Sequence, residues 1–190
     1  MGVEGIILAA GLSRRAASYK MTLAFKGKTV IENTIDNMLS FCKRIIVVGG
    51  YQIEKLEPIV EKYSKVELVL NEDYMQGMYS SVKKGMSCIR EEKFFLTPGD
   101  YPLIEPEVYR QLLLYNAAVV IPTFEGRKGH PILFKSTIID DVLNNAAYQN
   151  LREVISHQEI ALAAVNCKGI MMDLDTRSDY EMLIAAWIRG

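Results

Sequence analysis

An α/β architecture, with a mainly parallel mixed sheet covered on both faces, is what the sequence predicts. Three observations carry this. Strand-like and helix-like patterns alternate from end to end, the connections between them are short, and no repeat, linker or low-complexity stretch interrupts the alternation. A chain of 190 residues with 49% apolar residues suits a single domain, 1–190, with a full core.

Each element has its own signal. Val3 to Ala10 reads as a first strand built on the apolar run Ile6-Ile7-Leu8. Thr29 to Phe41 reads as a helix: Thr29 and Glu32 have capping-box spacing, and Ile31, Ile35, Met38 and Leu39 share one face. Arg44 to Val48 is a short buried strand stopped by Gly49-Gly50. Ile53 to Tyr63 reads as a helix weakened in its middle by Pro58, and Val66 to Leu70 as a strand. Ser80 or Ser81 can cap a helix carrying Val82, Met86 and Ile89. Phe94 to Thr97 is a strand, and Glu105-Pro106 opens a helix with proline in its tolerated first turn. Ala118 to Ile121 and Ile132 to Phe134 are strands joined by a loop over Pro122 to Gly129. Ser136 to Asn144 and Asn150 to His157 look helical, and Ile160 to Val165 is a strand. Tyr180, Leu183, Ile184, Trp187 and Ile188 fall at helical spacing behind Thr176 and Asp179.

The totals narrow the function classes. A net charge of −1 argues against nucleic-acid or anionic-membrane binding, and no apolar run reaches membrane-spanning length. Glu4 interrupts the N-terminal apolar stretch and Arg14-Arg15 follow it, so no signal peptide is read and a cytoplasmic location is expected. Cys42, Cys88 and Cys167 form no C-x-x-C pair and read as reduced thiols, and His130 and His157 are too few for a histidine metal site.

In an open parallel sheet, ligands sit beyond the carboxyl ends of the strands. That edge should gather Gly11 to Lys20, Gly49-Gly50, Gly77 to Ser81 and Gly99-Asp100. From Gly5 to Ile31 the chain has no Asp or Glu but carries Arg14, Arg15, Lys20, Lys26 and Lys28. The loop Leu8-Ala9-Ala10-Gly11-Leu12-Ser13-Arg14-Arg15 lacks both the P-loop ending and the dinucleotide glycines. It offers backbone N–H groups around Gly11, a hydroxyl at Ser13, and cations at Arg15 and Lys20, a set suited to a triphosphate. Asp100, held between glycine and proline at a strand's end, suits Mg²⁺ ligation or, equally, a turn that bonds its own backbone. Asp173 and Asp175 alternate onto one side of an extended segment and can complete a metal site or cap the last helix. Gly77 to Ser81 offers N–H and hydroxyl groups to a ligand, or plain capping. Gly126-Arg127-Lys128-Gly129-His130-Pro131 is a cationic loop that can hold an acceptor phosphate or simply be solvated.

In this order the segments resemble the molybdenum cofactor cytidylyltransferase family, within the MobA-like nucleotidyltransferases. The pattern L-A-A-G-x-S-x-R-M-G-x-x-K is met by Leu8 through Lys20 except at its Met-Gly, G-D-x-P is met by Gly99 to Pro102, and G-x-x-S-S by Gly77 to Ser81. G-H-P-[VI]-L-F is met by Gly129 to Phe134, and D-[IVL]-D-T-x-x-D by Asp173 to Asp179. The resemblance implies a Rossmann-like, GT-A-like nucleotidyltransferase fold, a three-layer sandwich. It also implies transfer of CMP from CTP to a phosphate-bearing acceptor such as molybdopterin, releasing pyrophosphate, with Mg²⁺ as cofactor. Leu8, Ala9, Ala10, Gly11, Ser13, Gly77, Ser80, Ser81 and Gly99 would meet the nucleotide. Arg15 and Lys20 would hold its phosphates. Asp100 would bind Mg²⁺ with Asp175 as second ligand and Asp173 in reserve, and Tyr101, Gly129, His130 and Pro131 would face the acceptor. A molybdenum hydroxylase or its maturation factor is the implied protein partner.

Two departures from the pattern involve three residues. Ala16-Ala17 replace Met-Gly, at a strain cost of roughly 1 kcal/mol or more if that glycine needs positive φ. Tyr79 replaces a small residue and is expected to narrow the base pocket. A related transferase using GTP or a sugar phosphate, a non-catalytic nucleotide-binding protein and a ligand-free interaction domain remain as alternatives.

Overall fold

The computed structural model describes residues 2–11, 19–174, 178–181 and 184. The strands are β1 (Val3–Leu8), β2 (Ala24–Phe25), β3 (Lys28–Thr29), β4 (Arg44–Gly49), β5 (Val66–Leu70), β6 (Lys93–Pro98), β7 (Val119–Phe124), β8 (Arg127–Lys128), β9 (Ile132–Lys135) and β10 (Ile160–Ala164). The helices are α1 (Val30–Leu39), α2 (Glu57–Val60), α3 (Met78–Met86), α4 (Pro106–Leu112), α5 (Ile139–Asn144) and α6 (Leu151–Ser156). The main sheet runs β10-β7-β9-β6-β1-β4-β5, with β8 paired to β7. Its contacts are parallel except those of β9 with β6 and β7, and of β8 with β7. The expected mainly parallel mixed sheet is therefore present.

Strand side chains alternate between two cores, which is why both faces carry helices. Ile7, Ile45, Val47 and Phe95 pack with α1, α2 and α4, where Ile31, Ile35, Met38, Ile59, Val60, Val108 and Tyr109 are buried. Ile6, Leu8, Ile46, Val48, Phe94 and Leu96 pack with α3, α5 and α6 through Val82, Met86, Val142 and Val154. The result is the expected three-layer sandwich.

The capping box of α1 forms as expected, with Glu32 N–H donating to Thr29 Oγ1 and Thr29 N–H donating to Glu32 Oε2. Three elements differ from expectation. The Ile53 to Tyr63 stretch is a 3₁₀ turn, Ile53–Lys55, followed by the short α2, with Pro58 in that helix's first turn rather than its middle. The Pro122 to Gly129 loop is instead mostly strand: β7 continues to Phe124 and turns back through Glu125 (φ 50°) and Gly126 (φ 77°) into β8. Pro122 fits there because β9 pairs with β7 only at Val119 and Val120, leaving no ladder bond for the missing N–H to break. Helix α3 begins at Met78 with Gly77 as its N-cap, not at either serine. Gly77 has φ +100°, a conformation that favours glycine, and this starts the helix earlier than the hydroxyl pattern suggests. Residues 178–181 and 184 are helical, while Thr176, Leu183, Trp187 and Ile188 lie outside the described residues. No helix among the described residues is long and apolar enough to cross a membrane.

Candidate active site

Register places the site. Leu8 pairs with Val48 on one side and Pro98 on the other, so β1, β4 and β6 end level. The chain then leaves the sheet at Ala9, at Gly49-Gly50 and at Gly99-Asp100 along one edge, as expected. Ala9 N–H donates to Val48 O (2.8 Å) and Gly99 N–H donates to Leu8 O (2.8 Å), which extends the ladder one step beyond the strands. Two side chains of α1 fasten the loop after β6: Thr34 Oγ1 donates to Gly99 O (2.9 Å) and Asn37 Nδ2 to Pro102 O (3.1 Å). Their spacing of three puts both on one helix face.

A cavity of about 410 Å³ opens over this edge, lined by Leu8, Ala10, Gly11, Lys20, Met21, Tyr74, Met75, Gly77, Met78, Ser81, Pro98 and Asp100. The structure thus brings Leu8, Ala10, Gly11, Lys20, Gly77, Ser81 and Asp100 of the expected set together. Tyr19 is the reason that Lys20 points in. Its ring is buried, its hydroxyl donates to Ala9 O (2.9 Å), and burial pushes the phenol's pKa well up. Lys20 Nζ donates to Asp100 Oδ2. Asp100 is 6% exposed, and its other oxygen, Oδ1, is sealed from solvent with no hydrogen-bond donor. A buried carboxylate oxygen without a donor is uncommon and costly unless something else completes it.

The remaining expected nucleotide residues fall elsewhere. Ala9 turns into the core beneath α1, and Gly99 packs against Met21 and Ile7, so both shape the edge without lining the cavity. Ser80 lies on the outer side of α3, in a second cavity shared with Lys83, Lys84 and Tyr148, where its hydroxyl lies within donating distance of Asp73 O and Gly77 O. Tyr79 also points outward: its hydroxyl lies 3.4 Å from Val142 O and Lys83 sits over its ring, so it does not narrow the inner cavity. Ser13, Arg15 and Asp175, with the Ala16-Ala17 pair, lie outside the described residues. Asp173 is half-buried just past a 3₁₀ turn, Lys168–Met171. No cluster of three or more His, Cys, Asp or Glu side chains suited to a metal occurs among the described residues.

A neighbouring cavity of about 580 Å³ is lined by Tyr101, Gly129 and His130 of the expected acceptor set, together with Arg127, Lys128, Arg152, Ile170 and Met171. Pro131 is buried behind it. The 3₁₀ turn closes one wall by backbone approach. A Cβ on Gly129 would stand 2.3 Å from Ile170 O, and His130 N–H donates to that carbonyl (2.9 Å). Tyr101 and His130 meet edge to face with centroids 4.9 Å apart. Burial lowers the His130 pKa to about 4, against a smaller upward pull from the Leu96 carbonyl, and its Nδ1 is sealed without a partner. His130 is therefore neutral at pH 7, and the positive charge around this cavity belongs to Arg127, Lys128 and Arg152. Arg152, Tyr74, Met75 and Met78 carried no motif in the sequence; only the folding of α6 and of the Tyr74–Gln76 turn onto this edge reveals them.

The family model for the MobA-like NTP transferase domain matches residues 5–162. The molybdenum cofactor cytidylyltransferase of Escherichia coli K12 is 32% identical over 94% of this chain and 93% of its own length. A probable molybdenum cofactor guanylyltransferase of Bacillus cytotoxicus is 29% identical over 96% of each chain. Among solved structures, the Mycobacterium tuberculosis H37Rv protein Rv0371c in complex with manganese superposes with a TM-score of 0.79 over 98% of this chain and all of that one, at 20% identity. The family match spans β1 through most of β10 and contains every residue lining the Lys20–Asp100 cavity. The chain belongs to the MobA-like NTP transferase family and is a nucleotidyltransferase.

Proposed function

We propose that this chain transfers CMP from CTP to a phosphate-bearing acceptor, molybdopterin, and releases pyrophosphate. One observation carries the reading: Asp100 and Tyr101, adjacent residues after β6, line two different cavities. Consecutive Cα atoms are about 3.8 Å apart, so ligands in the two cavities meet within reach of one another. The Escherichia coli relative supports cytidylyl transfer, and the Bacillus relative keeps GTP as the second reading.

Asp100 fits a divalent cation, because Oδ1 is a buried acceptor with no donor. Magnesium takes one or two carboxylates and leaves its other positions to phosphates and water, so one aspartate with Asp175 (Asp173 in reserve) suffices. The manganese complex of Rv0371c, which shares this fold, supports use of a divalent ion. When bound, Mg²⁺ neutralises charge on the triphosphate and on the departing pyrophosphate. Lys20, already against Asp100, and Arg15 hold the β- and γ-phosphates. Ala10 and Gly11 offer backbone N–H groups, Gly77 lets the chain pass close to the nucleotide, and Ser81 offers its hydroxyl. In the neighbouring cavity Tyr101 and neutral His130 give the acceptor an aromatic wall, while Arg127, Lys128 and Arg152 meet its phosphate. No protein nucleophile is needed. An oxygen of the acceptor phosphate bonds to the α-phosphorus as the bond from that phosphorus to the β-bridging oxygen breaks, and the residues align the two. The reading places the chain in the cytoplasm, handing its product to a molybdenum hydroxylase or its maturation factor.

The test is pyrophosphate release from CTP, GTP, ATP or UTP with molybdopterin, with and without Mg²⁺. Metal-dependent release from CTP alone is expected. Release from GTP and not CTP overturns the nucleotide; no release from any of the four overturns the transfer.

A further inference from the structure

Asn71 follows β5 and is 4% exposed. Its side chain is held in one orientation. Asp73 N–H donates to Asn71 Oδ1 (3.1 Å), and that N–H fixes which end of the amide is oxygen. The amide nitrogen then faces α3, where Nδ2 donates to Ser80 Oγ (2.9 Å) and to Ser81 Oγ (3.0 Å). Two amide hydrogens meet two hydroxyl oxygens.

Both serines are therefore acceptors towards Asn71, and each must direct its own O–H elsewhere. Ser80 has its outlet in the carbonyls of Asp73 (2.9 Å) and Gly77 (2.8 Å). Ser81 has no acceptor for its O–H among the described residues. It is 4% exposed, and it lines the cavity assigned above to the nucleotide. We infer that Asn71 is a positioning residue that fixes the polarity of Ser81, so that Ser81 presents a hydrogen-bond donor to the nucleotide. The inference rests on the proposed nucleotide site and says what that site reads: an acceptor oxygen on the nucleoside, either a ribose hydroxyl oxygen or a base carbonyl.

The arrangement has a direct chemical inverse. Asn71→Asp keeps the oxygen that Asp73 N–H needs and replaces the amide donor with an acceptor of the same shape. Ser81 would then donate to the new carboxylate and turn lone pairs towards the nucleotide. One hydrogen bond lost in a buried site corresponds to about tenfold in affinity.

Nucleotide dissociation constants, measured by calorimetry with CTP and with GTP in the presence of Mg²⁺, test this on the full chain. In the wild-type background Asn71→Asp is expected to weaken binding about tenfold, and Ser81→Ala by a similar factor. In the Ser81→Ala background Asn71→Asp should change binding less than twofold, because its route to the ligand is gone. Repulsion between the added carboxylate and the triphosphate would persist in that background, so independent, multiplying effects overturn the inference. If Asn71→Asp does not fold, Ser81→Ala measured with CTP and 2′-deoxy-CTP decides. A penalty that vanishes with the deoxy nucleotide supports a contact to the 2′-hydroxyl, a penalty that persists supports the 3′-hydroxyl or a base carbonyl, and no penalty with either overturns the inference. Wild-type protein that binds neither CTP nor GTP overturns the proposed site and this inference together, whereas tight wild-type binding with uncoupled variants overturns this inference alone.

Discussion

Two buried carboxylates stand at opposite ends of the same sheet and are treated in opposite ways. Glu4, near the start of β1 and 2% exposed, has both oxygens occupied. Arg44 donates to Oε1 at 2.8 Å, and the backbone N–H groups of Arg90 and Glu91 donate to Oε2 at 2.6 and 3.0 Å. Arg44 in turn grips Glu67 on β5 with two further bonds, at 2.7 and 2.8 Å. Asp100, past the other end of β6 and 6% exposed, has Lys20 on one oxygen and, among the described residues, no hydrogen-bond partner on the other. Burial alone does not separate these groups. Saturation does: Glu4 is completed by the fold around it, and Asp100 keeps an acceptor open, as its proposed metal role requires.

Isosteric amides sharpen the contrast most. Asp100→Asn is expected to lower metal-dependent turnover by about 10³-fold, roughly 4 kcal/mol of lost transition-state stabilisation. Its melting temperature should fall less than that of Glu4→Gln, because the change weakens the Lys20 contact at Oδ2 but Oδ1 has no bond to lose. Glu4→Gln should do the reverse. It leaves Arg44 short of a buried counter-charge and turns an amide nitrogen towards two N–H groups, at a cost of about 3 kcal/mol in stability, with turnover per folded molecule unchanged. Thermal unfolding and pyrophosphate release on both variants check this. A large stability loss in Asp100→Asn with turnover retained would remove the distinction.

The Lys20–Asp100 pair offers a second, smaller test. A buried pair broken on one side leaves an uncompensated charge, but a joint apolar replacement often restores stability. Lys20→Met alone is therefore expected to lower the melting temperature, and Lys20→Met with Asp100→Leu to recover most of it. Turnover should be lost in both. Recovery of stability without turnover would mark the pair as part of the ligand machinery; recovery of turnover would mark it as structural.

Much of this contrast was legible in the chain itself. Gly99-Asp100-Tyr101-Pro102 marked the incomplete carboxylate through its place after an apolar strand, and alternation predicted the three layers. Side-chain direction was not legible. Gly77 adopts φ +100° and starts α3 at Met78, which turns Tyr79 and Ser80 outward and only Ser81 inward. A run of two serines cannot reveal that split, since it depends on where the helix begins. Nor could sequence pair Thr34 and Asn37 with a loop some 65 residues away, or bring Arg152 to the Tyr101–His130 cavity, because both contacts come from helix docking.

The smallest effect, a loss of stability that begins only below pH 7, extends the contrast to titration. Glu32, like Glu4, is fully engaged: burial alone would raise its pKa, but hydrogen bonds from Lys62 and Thr29 outweigh this and bring it from 4.5 down to about 2. His130, like Asp100, keeps an unpartnered buried atom, and burial takes its pKa from 6.5 to about 4. Both are lowered, so both contributions are complete above the unfolded value and lost as pH falls towards the folded one. For His130 the folded state resists a proton that the unfolded chain accepts, and stability drains between pH 6.5 and 4. For Glu32 the loss falls between pH 4.5 and 2. His130→Gln should therefore flatten the stability curve only in the upper window, and Glu32→Gln only in the lower. Denaturant midpoints measured from pH 7 to pH 3 would separate them. An unchanged upper window in His130→Gln would show that the ring takes up its proton in the folded protein as readily as in the unfolded chain, and the Tyr101–His130 cavity would then gain a fourth cation below about pH 6.5.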